Sequence, residues 1–152
     1  MIGAAVESGA FLKALTQYAA DLEKASGEAI AVALQGAKAL GIYQVGQVTK
    51  RRTGGLQDGW QTVQISSTRG KLFNLAPYGQ WVNDGTRPHV IRARNAKFLR
   101  FTVGGVVMFR RSVMHPGTKP RKFVQSIEGA GEMLLARAAT ERVERLNRAF
   151  SR

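Results

Sequence analysis

Apolar positions in the first third of the chain recur at helical spacing. Phe11, Leu15, Tyr18 and Leu22 make one stripe, and Ile30, Leu34, Ala37, Gly41, Val45 and Val48 make a second. Between them, Ser26-Gly27 either breaks the helix, with Ser26 capping the second piece, or weakens one long helix. Small residues (Ala29, Ala31, Ala33, Gly36, Ala37, Ala39) cover more than one face of the second segment. Its own sheet or a neighbouring subunit can therefore approach it closely. Lys50-Arg51-Arg52-Thr53-Gly54-Gly55 ends this helical region, about 7–49, and opens a loop.

The period then changes to two. Trp60 to Ser66 alternates around Val63 and Ile65, Lys71 to Leu75 holds Leu72, Phe73 and Leu75, and Ser67-Thr68-Arg69-Gly70 is the turn between them. Pro77 to Val82 predicts one helical turn, stopped by Asn83-Asp84-Gly85. His89 to Arg92, Phe98 to Val103 and Val106 to Val113 predict further strands, with Gly104-Gly105 as a two-residue hairpin turn. Phe98 and Arg100 alternate with Leu99 and Phe101, so that strand has a basic and an apolar face. Met114 to Pro120 reads as a loop. From about Arg121 the helical period returns, with Leu135, Ala139, Val143, Leu146 and Phe150 as its stripe. Helix, strands, helix predicts an α+β fold. It has a long N-terminal helical region, a central, mostly antiparallel sheet with hairpins, and a C-terminal helix packed on the sheet. A length of 152 residues predicts a single domain, its parts being 7–49, a β-rich middle of 50–122 and a helix over about 123–150.

Charge changes this picture. Of 23 basic and 10 acidic residues, net +13, the segment 50–122 alone carries fifteen basic and two acidic. Residues 1–49 sum to −1 and residues 123–152 to +1. A one-signed field on one part of a fold predicts a polyanionic partner: nucleic acid, an acidic protein surface or a membrane face. The chain has no cysteine, which excludes disulfides and thiolate-bound metals. Glu7 interrupts the first apolar run, so no signal peptide is expected, and Lys38 within Ala29–Val48 argues against a membrane span.

Candidate catalytic chemistry is sparse. His89 and His115, each beside a proline, could hold a metal only with carboxylate help, and the middle segment offers just Asp58 and Asp84. Thr53-Gly54-Gly55 lacks phosphate-loop spacing, and no nucleophile motif frames a serine. The expectation is a protein that is not an enzyme, with no catalytic residue, metal or cofactor.

Three ordered segments carry a resemblance: Arg52-Thr53-Gly54-Gly55-Leu56; Ala76-Pro77-Tyr78-Gly79-Gln80-Trp81-Val82-Asn83-Asp84-Gly85-Thr86-Arg87-Pro88-His89; and His115-Pro116-Gly117-Thr118-Lys119-Pro120-Arg121-Lys122-Phe123. Together they resemble the neck or tail-completion proteins of long-tailed double-stranded DNA bacteriophages, a group to which phage lambda minor tail protein Z is distantly related. The match covers about residues 30–140. The family more often has Glu-Phe-Gly-Thr where this chain has Asn83-Asp84-Gly85-Thr86, and Pro-Arg-Pro-Phe where it has Pro120-Arg121-Lys122-Phe123. The resemblance implies an α+β virion subunit, assembled in the host cytoplasm. Its copies would close a ring, expected to be hexameric, at the head–tail junction beside connector, terminator or tail-tube proteins. The genome would pass through that ring.

The residues give these segments physical sense. Pro77 at a first helical turn would set Tyr78 and Trp81 on one face, either as contact anchors or as core. Gly85 and Gly117 permit positive φ at tight turns. His115, Pro116, Gly117, Thr118, Lys119, Pro120 and Arg121 form a stiff, polar, basic loop, which is either a subunit or partner contact or a connector. Arg51, Arg52, Arg92, Arg94 and Lys97 are the expected surface toward passing DNA, through phosphate contacts, or toward an acidic partner. A small basic nucleic-acid-binding protein is the alternative reading.

Overall fold

The computed structural model describes residues 8–49 and 54–151. Contacts divide the chain into two compact units. The first runs up to Ala76 and resumes at Phe123; the second is Pro77–Lys122. Charge had suggested boundaries near 50 and 122, but the first hairpin belongs with the helices.

The first unit is built on α1 (Ser8–Val48), one unbroken helix. Its 41 residues make a rod of roughly 60 Å. Of the two options at Ser26, the continuous helix holds: the Ser26 hydroxyl donates back to the Leu22 carbonyl (2.9 Å), as a mid-helix serine does, and caps nothing. A short turn, α2 (Gly55–Asp58), leads into β1 (Trp60–Ser66) and β2 (Arg69–Asn74), paired antiparallel from Trp60↔Asn74 to Ser66↔Arg69. The chain returns as α4 (Phe123–Phe150).

Helices α1 and α4 run antiparallel. Tyr18 stacks edge-on against Phe150 (5.0 Å between ring centres) and donates its hydroxyl to Asn147 (2.8 Å). Further along, Arg142 pairs with Glu28 (3.5 Å), and a Cβ on Gly36 would lie 2.7 Å from Leu134 Cδ1. The buried row on α1 is Ala25, Ala29, Ala33, Ala37, Gly41 and Val45, spaced by four. This differs from the expected stripe because two partners share the helix. Small residues admit α4, while Ile30 and Leu34 turn toward Gly70 of the hairpin and Gly41 takes the Trp60 ring. On α4 the buried positions are Phe123, Ile127 and Ala138; the expected stripe of Leu135, Ala139, Val143, Leu146 and Phe150 lies half-buried or exposed, about one position round the helix. Phe123 meets Trp60 edge-on at 6.3 Å, joining the start of α4 to β1.

The second unit holds α3 (Gly79–Asp84), β3 (His89–Arg92), β4 (Leu99–Val103), β5 (Val106–Arg110) and β6 (Ser112–His115). The expected strand Val106–Val113 is not continuous. It bends at Arg111, and β6 leaves β4 to pair with β3. The strands of the chain form three separate two-stranded ladders.

Candidate assembly surfaces

The second unit is one nested ribbon. Thr86 bridges Thr118, His89↔His115 through Arg92↔Ser112 pair above it, then Leu99↔Arg110 through Val103↔Val106, and Gly104-Gly105 closes the tip. Both glycines have positive φ (55° and 84°), as a two-residue hairpin turn of primed type requires. Residues 93–98 bulge from one side between the two ladders.

This arm has no hydrophobic core. All ten buried apolar residues among those described lie in the helical unit; in the arm unit only Asn83 is buried. Cross-strand partners share a face, so Leu99, Phe101, Val103, Val106 and Met108 line one side of the outer ribbon, with Arg110 at its base. Toward the tip this side lies open: Val103 and Val106 are 60% and 62% exposed. A two-stranded hairpin by itself is marginal in water, and an exposed apolar patch on one is a candidate contact surface.

The arm is pinned at its base where two of the resembling segments cross. Thr86 and Thr118 exchange backbone hydrogen bonds (3.0 and 3.1 Å), and their hydroxyls meet at 2.9 Å. Gly85 and Gly117, at φ 73° and 86°, face each other's strands: a Cβ on Gly117 would lie 2.2 Å from the Thr86 carbonyl oxygen, and one on Gly85 2.4 Å from that of Thr118. The backbone N–H groups of Arg121 and Lys122 both donate to the Asn83 carbonyl at 3.0 Å. The segment His115–Arg121 is therefore strapped to α3 by its backbone, with Lys119, Pro120 and Arg121 outward. His115 stacks on His89 (5.0 Å) and accepts the Gly117 N–H at Nδ1 (3.0 Å), while His89 Nδ1 meets the Arg87 carbonyl (2.8 Å). No group of three or more His, Asp or Glu among the described residues is placed to hold a metal.

The two departures from the resembled pattern meet each other. Asp84, where the family has Phe, pairs with Lys122, where it has Pro (3.8 Å). Lys122 stands at φ 54° and donates its N–H, neither of which proline could do.

Tyr78 caps α3 half-way to solvent, and Trp81 is 61% exposed, so neither is core. Arg92, Arg94 and Lys97 gather on β3 and the bulge, all exposed; Arg51 and Arg52 lie outside the described residues. Sequence reasoning missed Arg87, Arg110 and Arg111, and left Arg100 unassigned. Of the ten basic residues in the arm unit, only Lys122 meets a carboxylate among the described residues. Arg111 lies over the Phe98 ring (5.9 Å). Sequence reasoning also missed the apolar tip, although the alternation around Gly104-Gly105 contained it.

The helical unit carries a second unassigned surface. Between α1 and α4 runs an apolar groove of about 590 Å³, lined by Gly36, Leu40, Tyr43, Met133, Leu134 and Arg137 among others. Tyr43 is 60% and Met133 70% exposed. Arg137 is held by Glu141 (2.8 Å), whose carboxyl that hydrogen bond and the nearby guanidinium charge lower from the usual range. No helix among the described residues is long and apolar enough to cross a membrane. No protein family, curated protein or solved structure matches the chain.

Proposed function

We propose that this chain is a noncatalytic structural protein of a tailed-phage virion. Its copies assemble as a ring at the head–tail junction and help join tail to head around the DNA channel. One observation carries the assembly part: an arm with no buried apolar residue of its own, whose apolar tip lies open. A subunit that works alone gains nothing from exposing Val103 and Val106 on a coreless ribbon. A ring subunit gains an interface, and head-to-tail contacts between identical copies close into rings. The virion part rests on the resemblance. It is supported by the convergence of two resembling segments in one clasp.

The test is electron microscopy of a lysate from a phage lacking only this gene. Separate full heads and finished tails, with few joined particles, are expected. Normal joined, infectious particles would refute the reading.

The second reading, a small nonspecific nucleic-acid-binding protein, draws on the arm's ten basic and single acidic residues. It predicts duplex binding without sequence preference that falls steeply with salt, by a protein that does not form rings. In the ring reading the same cations face passing phosphates or an acidic neighbour. Absence of duplex binding at low salt would remove both the DNA-lining version and this second reading.

A further inference from the structure

The arm and the groove are two unsatisfied apolar surfaces on one chain, so every copy brings one of each. We infer that the apolar face of the β4–β5 ribbon docks into the α1/α4 groove of a second copy. The inference rests on the reading of the chain as a self-assembling subunit, and its test is separate from the test of the virion role.

The shapes fit. A two-residue glycine turn makes the ribbon tip narrow, with only Val103 and Val106 beside it on that face. The groove floor is apolar, with Leu134 packed over Gly36, and its rims are the exposed Tyr43 and Met133. The charges fit as well. The arm unit holds ten basic residues and one carboxylate, the helical unit thirteen basic residues and nine carboxylates, so the complement to the arm is local to the groove. On α4, Glu128 and Glu132 near the groove have no basic partner among the described residues. The one cation in the groove wall, Arg137, is already paired with Glu141 and so does not repel an incoming basic ribbon. Because donor and acceptor are different surfaces, the contact is head-to-tail: each copy inserts an arm into the next and receives one from the previous.

The chain contains no cysteine, so the test has no background. Val103→Cys and Met133→Cys are introduced singly and together into the full chain. Each is treated with a short bismaleimide and run on a denaturing gel. Both positions are exposed in the single chain, so folding, checked by circular dichroism, should be kept. The double variant should give a ladder of linked multimers ending at the ring size, and each single variant should stay monomeric. A second pair of variants completes the test. Val103→Asp/Val106→Asp loses the arm and Ala39→Arg fills the groove; each alone should sediment as a monomer, and the two mixed should form dimers but nothing larger.

Four results would overturn the inference. An internally linked monomer alone would place the arm in its own groove. A dimer from Val103→Cys alone would mean that arm meets arm. Ala39→Arg assembling like the parent would put the interface elsewhere. A parent chain monomeric at all concentrations would deny self-association. The deletion phenotype would still decide the virion reading in each case.

Discussion

Replacing Gly117 by alanine should release the base of the arm while leaving the helical unit folded. Gly117 sits at φ 86°, where an alanine costs about 1–2 kcal/mol on backbone grounds alone. The added Cβ would lie 2.2 Å from the Thr86 carbonyl oxygen and 3.0 Å from the Arg87 carbonyl carbon. Both neighbours are backbone, so neither can rotate away. The Thr86–Thr118 bridge must then open, with loss of two backbone hydrogen bonds at about 1 kcal/mol each. Together these come to about 3–4 kcal/mol, more than a hundredfold in a local opening equilibrium. No hydrophobic core in the arm opposes that loss, because none of its apolar side chains is buried. Hydrogen exchange read by mass spectrometry checks this directly. Amides of the β3–β6 ladder should exchange more than a hundredfold faster than in the parent, while those of α1 and α4 keep their protection.

Gly104→Ala is the control. It also has positive φ (55°), but an added Cβ there meets nothing within 4 Å. It should cost about 1–2 kcal/mol at the tip and leave the base closed. Trypsin provides a second reading, since eight of the arm's ten basic residues, all but Arg87 and Lys119 before prolines, are cleavage sites. If Gly117→Ala protects the β3–β6 amides as well as Gly104→Ala does, the clasp is not what holds the arm.

The helical unit yields sharper stability contrasts, each measured by urea unfolding at the α-helical signal. Gly41→Ala should destabilise by about 1–3 kcal/mol, because its Cβ would press the buried Trp60 ring at 2.8 Å. Gly129→Ala, in the open on α4, should stabilise by up to about 1 kcal/mol through helix propensity alone; equal effects at the two sites would refute the packing assigned to Gly41. The Trp60 indole N–H is buried without an acceptor, so Trp60→Phe should cost well under the roughly 3–5 kcal/mol of Trp60→Ala, and equal costs would mean that the N–H is bonded after all. Glu28→Gln should cost less than about 1 kcal/mol, since half of that carboxylate is exposed beside Arg142; a larger loss would mark the pair as a buried anchor of the two helices.

What the sequence made legible follows from where local chemistry decides structure. Helical spacing located α1 and α4, and Gly104-Gly105 located the hairpin tip, because periodicity and positive φ are local demands. The buried face of α1 was legible only in part: Ala37, Gly41 and Val45 are buried as expected, but the row before them is not the expected one. The large residues Ile30 and Leu34 suggested one stripe, but burial goes to the alanine row because α4 comes closest where side chains are smallest. Pairing was also hidden. Val106 to Val113 reads as one β-rich run, and only the partners show that it changes ladders at Arg111. The site was half legible: the residues of the clasp stood out as turn formers, but nothing local places Gly85 against Thr118 or Asp84 beside Lys122. An exposed apolar tip looks, in sequence, like any half-buried strand.

Strand alternation then limits how such an arm can be used. Leu99, Phe101, Val103, Val106, Met108 and Arg110 share one side of the ribbon, and Arg100, Thr102, Val107 and Phe109 share the other. A protein partner that covers the first side leaves the Arg100 side uncovered, because the two faces of a ribbon cannot enter one groove. Each side thus carries one arginine, and Arg100 stays open to a polyanion when the Arg110 side is covered. The charge also favours this order of events. Ten cations with one carboxylate repel one another along a bare arm, and an acidic surface or phosphate backbone near the seated arm relieves that repulsion. A ribbon without a core, apolar at its tip and with an arginine on each face, gains order from what it meets.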